Sequence, residues 1–409
     1  RFSSNRGEGF ELGSFGHTGF TGPSIWIDPR SETAVIFLTN RVHPNGKGSV
    51  VRLRGAVSTV VAESIVSPPF PQRRPHQRRK VLTGIDVLKS DNFRSIQNQR
   101  IALLTNHTGV DRQGNRTIDL LFQAKNLKLL ALLTYEDVES RDRKTGLPVI
   151  HPKSEKFHKL LPNLDSVILD LQTVDGHDPK LCALLTQMLR LVRDHKKKLL
   201  ILDRPNPTGG DVCEGSVDQK WGLSRRHGLT LGELALFLNR EQRILAEVAV
   251  IRMKEWSRHL SFDETGLPWI DPRKDIPSVS AAYLEPGIGL LSKTNVSIGQ
   301  GSECVYSLVG APWIDGVKLA DELTSQRQRS YRIVPVRFRP EKGEHANKEC
   351  GGITLHLDDW FGFARFELRR ALALALQKLY PARWKGHGSL LKNVKSDFRK
   401  VRARYLLYR

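Results

Sequence analysis

The stretch LLTYEDVESRDRKTG, residues 132 to 146, opens as an apolar run of strand character and turns into a burst of charge, with Glu136, Asp137, Glu139 and Asp142 inside seven residues. Carboxyls crowded at a strand end can share acid and base work, because like charges close together shift one another's pKa. Three other strand-like runs end in polar residues. RIALLTN (100 to 106) closes on Thr105 and Asn106, DSVILDLQ (165 to 172) on Asp170 and Gln172, and KKLLILDRPNP (197 to 207) on Asp203, Arg204 and Asn206. Any one of these residues serves as well to cap a helix or close a turn. Their coincidence over four strand ends is what points to a site.

Such a rim requires a particular arrangement of elements. Ligands bind beyond the carboxyl ends of the strands of an open parallel sheet, where loops and helix N-termini converge. The pattern from residue 84 supplies that arrangement, since strand-length apolar runs alternate with helical segments at TIDLLFQAK (117 to 125) and DPKLCALLTQMLRLVRDH (178 to 195). In the second helix Asp178 is placed to cap and Pro179 to open the first turn. TLGE (230 to 233) reads as a capping box that starts a further helix. The fold class expected is α/β: a Rossmann-like domain with a parallel sheet over residues 84 to 246, then a smaller α+β domain over 247 to 385. The latter rests on short strands such as EVAVIRM, YRIVPVRF and GITLHL and a last helix at ELRRALALALQKLY (367 to 380). Ahead of both, residues 1 to 66 read as short strands followed by a helix that places Val50, Leu53, Val57, Val60, Val61 and Ile65 on one face. This piece is too small and open-edged to stand alone, so the chain is expected to begin inside a larger domain.

Charge narrows the partners. The formal net charge is +21, but SPPFPQRRPHQRRK (67 to 80) holds five Lys/Arg among four prolines, and residues 383 to 409 hold nine against a single acid. Without an RNA-binding aromatic signature or zinc-finger spacing, these segments read as a solvated linker (67 to 83) and a basic tail (386 to 409), and nucleic acid is not the expected partner. No run reaches the roughly 18 apolar residues of a membrane span, and the opening RFSSNRGEGF lacks a signal-peptide layout. Cys182, Cys213, Cys304 and Cys350 form no C-x-x-C pair, and His107, His177 and His227 have no metal-ligand spacing, so no metal is expected. No G-x-G-x-x-G follows the first strand and no Walker A sequence occurs, so no dinucleotide or other cofactor is expected either. Oligomeric state is left open.

Two resemblances add to this reading. GHTGFTGPSIWIDPRSETAVIFLTNRVHP (16 to 44) resembles the C-terminal part of serine β-lactamase-like hydrolases, with His17-Thr18-Gly19 where that family has its K-T-G-type strand. No S-x-x-K nucleophile motif of that family stands in residues 1 to 15, upstream of this stretch. From residue 84 to 380 the sequence is similar to the exo-β-N-acetylmuramidase family of glycoside hydrolases. GIDVL (84 to 88), LLTNHTGV (103 to 110), LDRPNPTGG (202 to 210), RRHGLTLGELA (225 to 235), EPGIGLLSKTNVSIGQGS (285 to 302) and VGAPWIDG (309 to 316) carry the resemblance.

That resemblance implies release of terminal N-acetylmuramic acid from peptidoglycan fragments outside the cytoplasm, a carboxylic acid protonating the leaving oxygen. It assigns the acid to Glu136, sugar positioning to Asn106, Asp170, Gln172, Asp203, Arg204 and Asn206, and the pocket lining to His227 and Asn295. Three departures accompany it. Asp137 stands where the family has histidine, within a shortened loop; Thr173 replaces an acid; and Ile298 and Gln300 replace a charged pair. They favour a second reading, a sugar-binding or scaffold homologue that has lost catalysis.

Overall fold

The computed structural model describes residues 10, 14–29, 33–43, 48–64, 80–135, 140–175, 178–324, 331–357, 365–391 and 398–408. The chain divides into two compact units, Arg1–Pro75 with Ile288–Leu391, and His76–Gly287 with Lys392–Arg409.

In the first unit, β1 (Phe15–Thr18), β2 (Ser24–Asp28) and β3 (Thr33–Phe37) form an antiparallel meander followed by α1 (Val51–Ser64). The face that α1 buries differs from the expected one. Val57, Val61 and Ala62 pack against Phe10, Trp26 and Val35, whereas Leu53 and Val60 are exposed. The cause is Arg54, whose guanidinium is drawn inward to the Gly22 carbonyl (3.0 and 2.5 Å), turning Leu53 and Val60 outward. Ile65 lies outside the described residues.

The second unit holds the large sheet. In chain order it contains α2 (Gly84–Ser90), β4 (Arg100–Thr105), α3 (Thr117–Gln123), β5 (Lys128–Leu133), β6 (Ser140–Arg141), β7 (Pro148–Ile150), α4 (Glu155–Leu160), β8 (Ser166–Asp170), α5 (Pro179–Asp194), β9 (Lys198–Leu202), β10 (Glu214–Val217), β11 (Ser224–Arg226), α6 (Leu231–Glu241) and β12 (Glu247–Ile251). The spatial order is β12-β9-β8-β4-β5-β7-β6, parallel throughout except for β6. Strand β12 pairs with β9 from Glu247↔Lys198 to Ile251↔Leu202, so the large sheet runs past residue 246, where the sequence texture changes.

Alternation along the strands sends side chains to both faces. Ala102 and Leu104 of β4 meet Leu185, Met188 and Leu189 of α5, while Ile101 and Leu103 meet Ile85 and Leu88 of α2 and Leu121 of α3. Each fully buried side chain of this size contributes about 1.5–3 kcal/mol, so the sheet is held from both sides. The cap signals are realised. Asp178 accepts from Leu181 N at 3.0 Å, and Thr230 and Glu233 exchange bonds at 3.3 and 3.0 Å.

The helix α7 (Val279–Ile288) leads back to the first unit, where β13 (Leu308–Ala311), α8 (Gly316–Thr324), β14 (Tyr331–Phe338), β15 (Cys350–Leu357) and α9 (Arg365–Leu379) follow. Their sheet is antiparallel in the order β13-β15-β14. The last helix, α10 (Phe398–Arg402), belongs to the second unit. Here the expected solvated tail does not describe the chain. Phe398 and Tyr405 pack edge-on against Phe237, Tyr408 packs against Trp256, and Arg402 donates to the carbonyls of Gly210 (2.6 Å) and His227 (3.0 Å). Among the described residues no helix is long and apolar enough to cross a membrane.

Candidate functional site

The strand order places the site. Chain connectivity reverses between neighbouring strands β4 and β8, and such a switch point opens a crevice at the carboxyl ends. The loop from Asn106 to Gly109 and the segment from Gln172 to Asp175 border it. Gly109 permits the approach, because a Cβ there would collide with Thr105 Oγ1 and press on Asp170 Oδ2. A small recess at this point is lined by Thr108, Gln172 and Arg204 on its polar side and by Phe262, Leu267 and Ile270 on its apolar side. There an apolar wall faces a few placed polar groups.

The accessible part of the rim is short. Asn106 Nδ2 donates to Tyr135 Oη (3.0 Å), and its Oδ1 accepts from Thr108 N (2.9 Å) and Oγ1 (2.6 Å). His107 Nε2 lies 2.7 Å from the Asp271 carbonyl, tying this loop to the segment that bears the apolar wall. Gln172 Nε2 donates to the carbonyls of Thr173 (2.9 Å) and Pro205 (2.8 Å). Tyr135 directly precedes Glu136. Glu136, Asp137 and Glu139 lie outside the described residues, as does His177.

Asp142, the fourth acid of the charged burst, has a different duty. It accepts from Arg116 Nη2 (2.9 Å), Thr145 N (2.8 Å) and Thr145 Oγ1 (2.8 Å). Partial burial works to raise its pKa, but these donors outweigh it and hold the carboxyl down at about 2. A group so firmly ionised neither gives nor takes a proton near neutrality.

Behind the rim stands a buried polar frame that absorbs most of the residues singled out in the sequence. Asp170, fully buried, receives Arg204 through Nε (2.6 Å) and Nη2 (2.9 Å) and Thr117 Oγ1 at 2.5 Å. Arg204 Nη2 also donates to the Val110 carbonyl at 2.8 Å. Asn206 donates to Asp175 Oδ1 (3.1 Å) and the Leu229 carbonyl (3.0 Å), while its Oδ1 accepts from Thr208 N (3.1 Å). His227 is buried with Nδ1 accepting from Leu229 N at 3.0 Å, and burial pushes its pKa below the ordinary value, which keeps it neutral at pH 7.

Asp203 closes the frame at the start of α6. It accepts from Tyr408 Oη (2.6 Å), Thr230 Oγ1 (2.8 Å) and Gly232 N (2.9 Å), yet burial dominates and lifts its carboxyl to about 6. These five residues therefore orient the loops of the rim from within. Asn295 belongs to the first unit, where its amide bonds the Arg383 carbonyl (2.7 Å) and Lys385 N (2.8 Å). In the same unit Gln300 Oε1 closes a turn by accepting from Ser297 Oγ (2.9 Å) and Ile298 N (3.1 Å).

Sequence reasoning passed over two residues that the frame depends on. Asp175 gathers the Gly228 N–H (3.0 Å), the His227 N–H (3.2 Å), Asn206 and the Thr208 hydroxyl. Tyr408 reaches Asp203 from the end of the chain. The first shares its short segment with Asp170 and Gln172 and could have been found there; the second has no local signal. Among the described residues no three His, Cys, Asp or Glu side chains gather as metal ligands.

Comparison with known proteins covers both units. The family model for the N-terminal part of exo-beta-N-acetylmuramidase NamZ matches residues 101–280, and that for its C-terminal part matches residues 283–401. The peptidoglycan beta-N-acetylmuramidase NamZ of Bacillus subtilis (strain 168) is 30% identical over 346 residues, spanning 79% of this chain and 83% of that protein. Two crystal structures of DUF1343 family proteins from Bacteroides fragilis NCTC 9343 are similar. One has a TM-score of 0.72 at 28% identity, over 81% of this chain and all of its own; the other has 0.60 at 26%, over 80% and 99%.

Proposed function

The chain belongs to the exo-β-N-acetylmuramidase family, and from that premise we propose that it is a glycoside hydrolase that releases terminal N-acetylmuramic acid from peptidoglycan fragments. The observation that carries this reading is the likeness to the Bacillus subtilis peptidoglycan β-N-acetylmuramidase, which runs over most of both chains. Glu136 is the proposed general acid. It follows Tyr135, whose hydroxyl meets Asn106 at the mouth of the crevice. A carboxylic acid there would protonate the glycosidic oxygen as the bond to the anomeric carbon breaks.

Asn106, Tyr135 and Gln172 are the proposed sugar contacts, with Asp170, Asp203, Arg204, Asn206 and His227 proposed to fix the loops that carry them. Asn295 is proposed as a residue of the pocket lining on the resemblance alone. Turnover of a MurNAc-GlcNAc disaccharide by wild type, lost on Glu136→Gln, is the expected result. Turnover unchanged by Glu136→Gln would remove that residue's role, and none from wild type would remove the activity.

Absence of turnover is the outcome the second reading predicts, a homologue that binds sugar without cleaving it. Thr173, Ile298 and Gln300 favour it, since each stands where the family has a charged group, as does Asp137 in place of the family's histidine, and Gln300 is already spent on a turn. With that substrate we propose a location outside the cytoplasm. For residues 1 to 66 we propose a C-terminal piece of a β-lactamase-like domain, supported by the meander, the helix docked on it and the His17-Thr18-Gly19 strand.

A further inference from the structure

A cleft on the second unit takes no part in the frame or the rim described above. It runs along α5 from Ala183 to Asp194, on the order of 16 Å of helix, and encloses about 470 Å³. That volume lies within the range of small-molecule sites. Lys153, ahead of α4, and Lys220 and Trp221, in the turn between β10 and β11, complete its lining.

The charges of this lining are open to a ligand. Among the described residues Lys153, Arg190 and Lys220 form no ion pair. The acid of the lining, Asp194, is held by its neighbour Arg193 at 2.6 and 2.8 Å. The turn that carries Lys220 is set in advance. Asp218 Oδ1 accepts from Lys220 N and Trp221 N (both 2.9 Å), Gln242 Nε2 donates to the Lys220 carbonyl (3.3 Å), and the Lys220 ammonium lies 4.8 Å from the centre of the buried Trp221 ring.

A second observation points to an occupant. A threonine hydroxyl inside a helix ordinarily returns to the carbonyl three or four residues before it. Thr186 lines the cleft at 7% exposure, and its Oγ1 has no hydrogen-bond partner among the described residues. Buried hydroxyls are nearly always satisfied, so this one marks a place where a partner belongs. One turn of its rotamer takes it from one side of the helix groove to the other. Gln187 beside it also makes no hydrogen bond among the described residues, and its amide offers both donors and an acceptor.

The number of cations decides the kind of anion. A phosphate monoester carries close to two negative charges near neutrality and presents three acceptor oxygens. Lys153, Arg190 and Lys220 come from three separate segments and can meet those oxygens singly. A carboxylate has one charge and two oxygens, and would leave a cation over. The free amide of Gln187 and the hydroxyl of Thr186 suit a body that bears hydroxyls, since these too both give and accept. We propose that this cleft is a binding site for a phosphorylated sugar, separate from the crevice at the carboxyl ends of the strands. It stands apart from the glycosidase reading and needs no turnover.

The test titrates the full chain by calorimetry with N-acetylglucosamine 1-phosphate as the probe. N-acetylglucosamine serves as its neutral twin, glucuronate as the carboxylate control, and inorganic phosphate as the anion alone. The sugar phosphate should bind about tenfold or more tighter than each of the three. Arg190→Gln and Lys220→Gln should each weaken it several-fold, and together should bring it to the level of the neutral sugar. Thr186→Val, which keeps the shape and removes the hydroxyl, should also weaken it while Tm does not fall. Disaccharide turnover should be the same in all these variants as in wild type. A sugar phosphate that binds no tighter than its neutral twin or than inorganic phosphate, glucuronate that matches it, or a double variant that binds as wild type does would each overturn the proposal.

Discussion

Arg204 offers the sharpest separation between a residue that touches substrate and one that holds the site together. Asp170 is fully buried and accepts two bonds from Arg204, at 2.6 and 2.9 Å, and one from Thr117. Arg204→Met would leave that carboxylate with the threonine hydroxyl as its remaining side-chain partner. Breaking a buried pair from one side costs about 3–5 kcal/mol, mostly because a charge is left without compensation. For a unit of this size each kcal/mol moves Tm by about 2–4 °C, so the variant should melt on the order of 10 °C lower. Asp170→Leu combined with Arg204→Met should regain much of the loss, since an apolar pair of similar volume needs no compensation. Thermal unfolding by circular dichroism and KM on the disaccharide, measured well below the lowered Tm, give the two readouts. An Arg204→Met protein that melts like wild type but loses its KM would refute the reasoning and return Arg204 to direct contact with sugar.

Two further predictions concern the same frame. Asp203 has a folded pKa of about 6 against an ordinary 3.8, so its contribution is greatest when protonated and is given up as pH climbs through that interval, by roughly 3 kcal/mol. Melting from pH 4 to 7 should show this decline in wild type and a shallower one in Asp203→Asn; equal slopes would count against the assignment. Gly109→Ala should lower both stability and turnover, because the added Cβ drives into Thr105 Oγ1 between β4 and β8, and a variant with wild-type melting and kinetics would show that the loop has room to give.

The parallel sheet was legible because strand-length apolar runs alternating with capped helices admit few other packings. Strands β4, β5, β8 and β9 and helices α5 and α6 fall where their patterns put them. Strand β12 was assigned to the smaller domain because the loops after it are rich in Gly and Pro. Pairing decided otherwise, since Val248 and Val250 lie beside β9 and pack on the core of the large sheet. The rim was legible as a set of strand ends, but its division into frame and contact was not. Asp203 and Arg204 look alike in sequence to Asn106 and Gln172. What buries the first pair is Tyr408, 205 residues away from Asp203, and Asp170, 34 residues from Arg204.

Charge was misread for a related reason. Composition counts every guanidinium as solvated positive charge, which made residues 383 to 409 look like a basic tail. Arg402 is buried and spends its donors on the carbonyls of Gly210, Asp211 and His227, and Arg258 does the same for Gly210 and Gly228 while pairing with Glu233. Arginine suits this work because five N–H groups on one rigid plane can satisfy several carbonyls that loops leave unpaired. The carbonyls so held belong to Gly210, Asp211, His227 and Gly228, the turns that flank Asn206 and the His227–Asp175 contact. The end of the chain thus acts on the frame of the site, and part of what reads as excess charge is hydrogen-bonding capacity spent inside the protein.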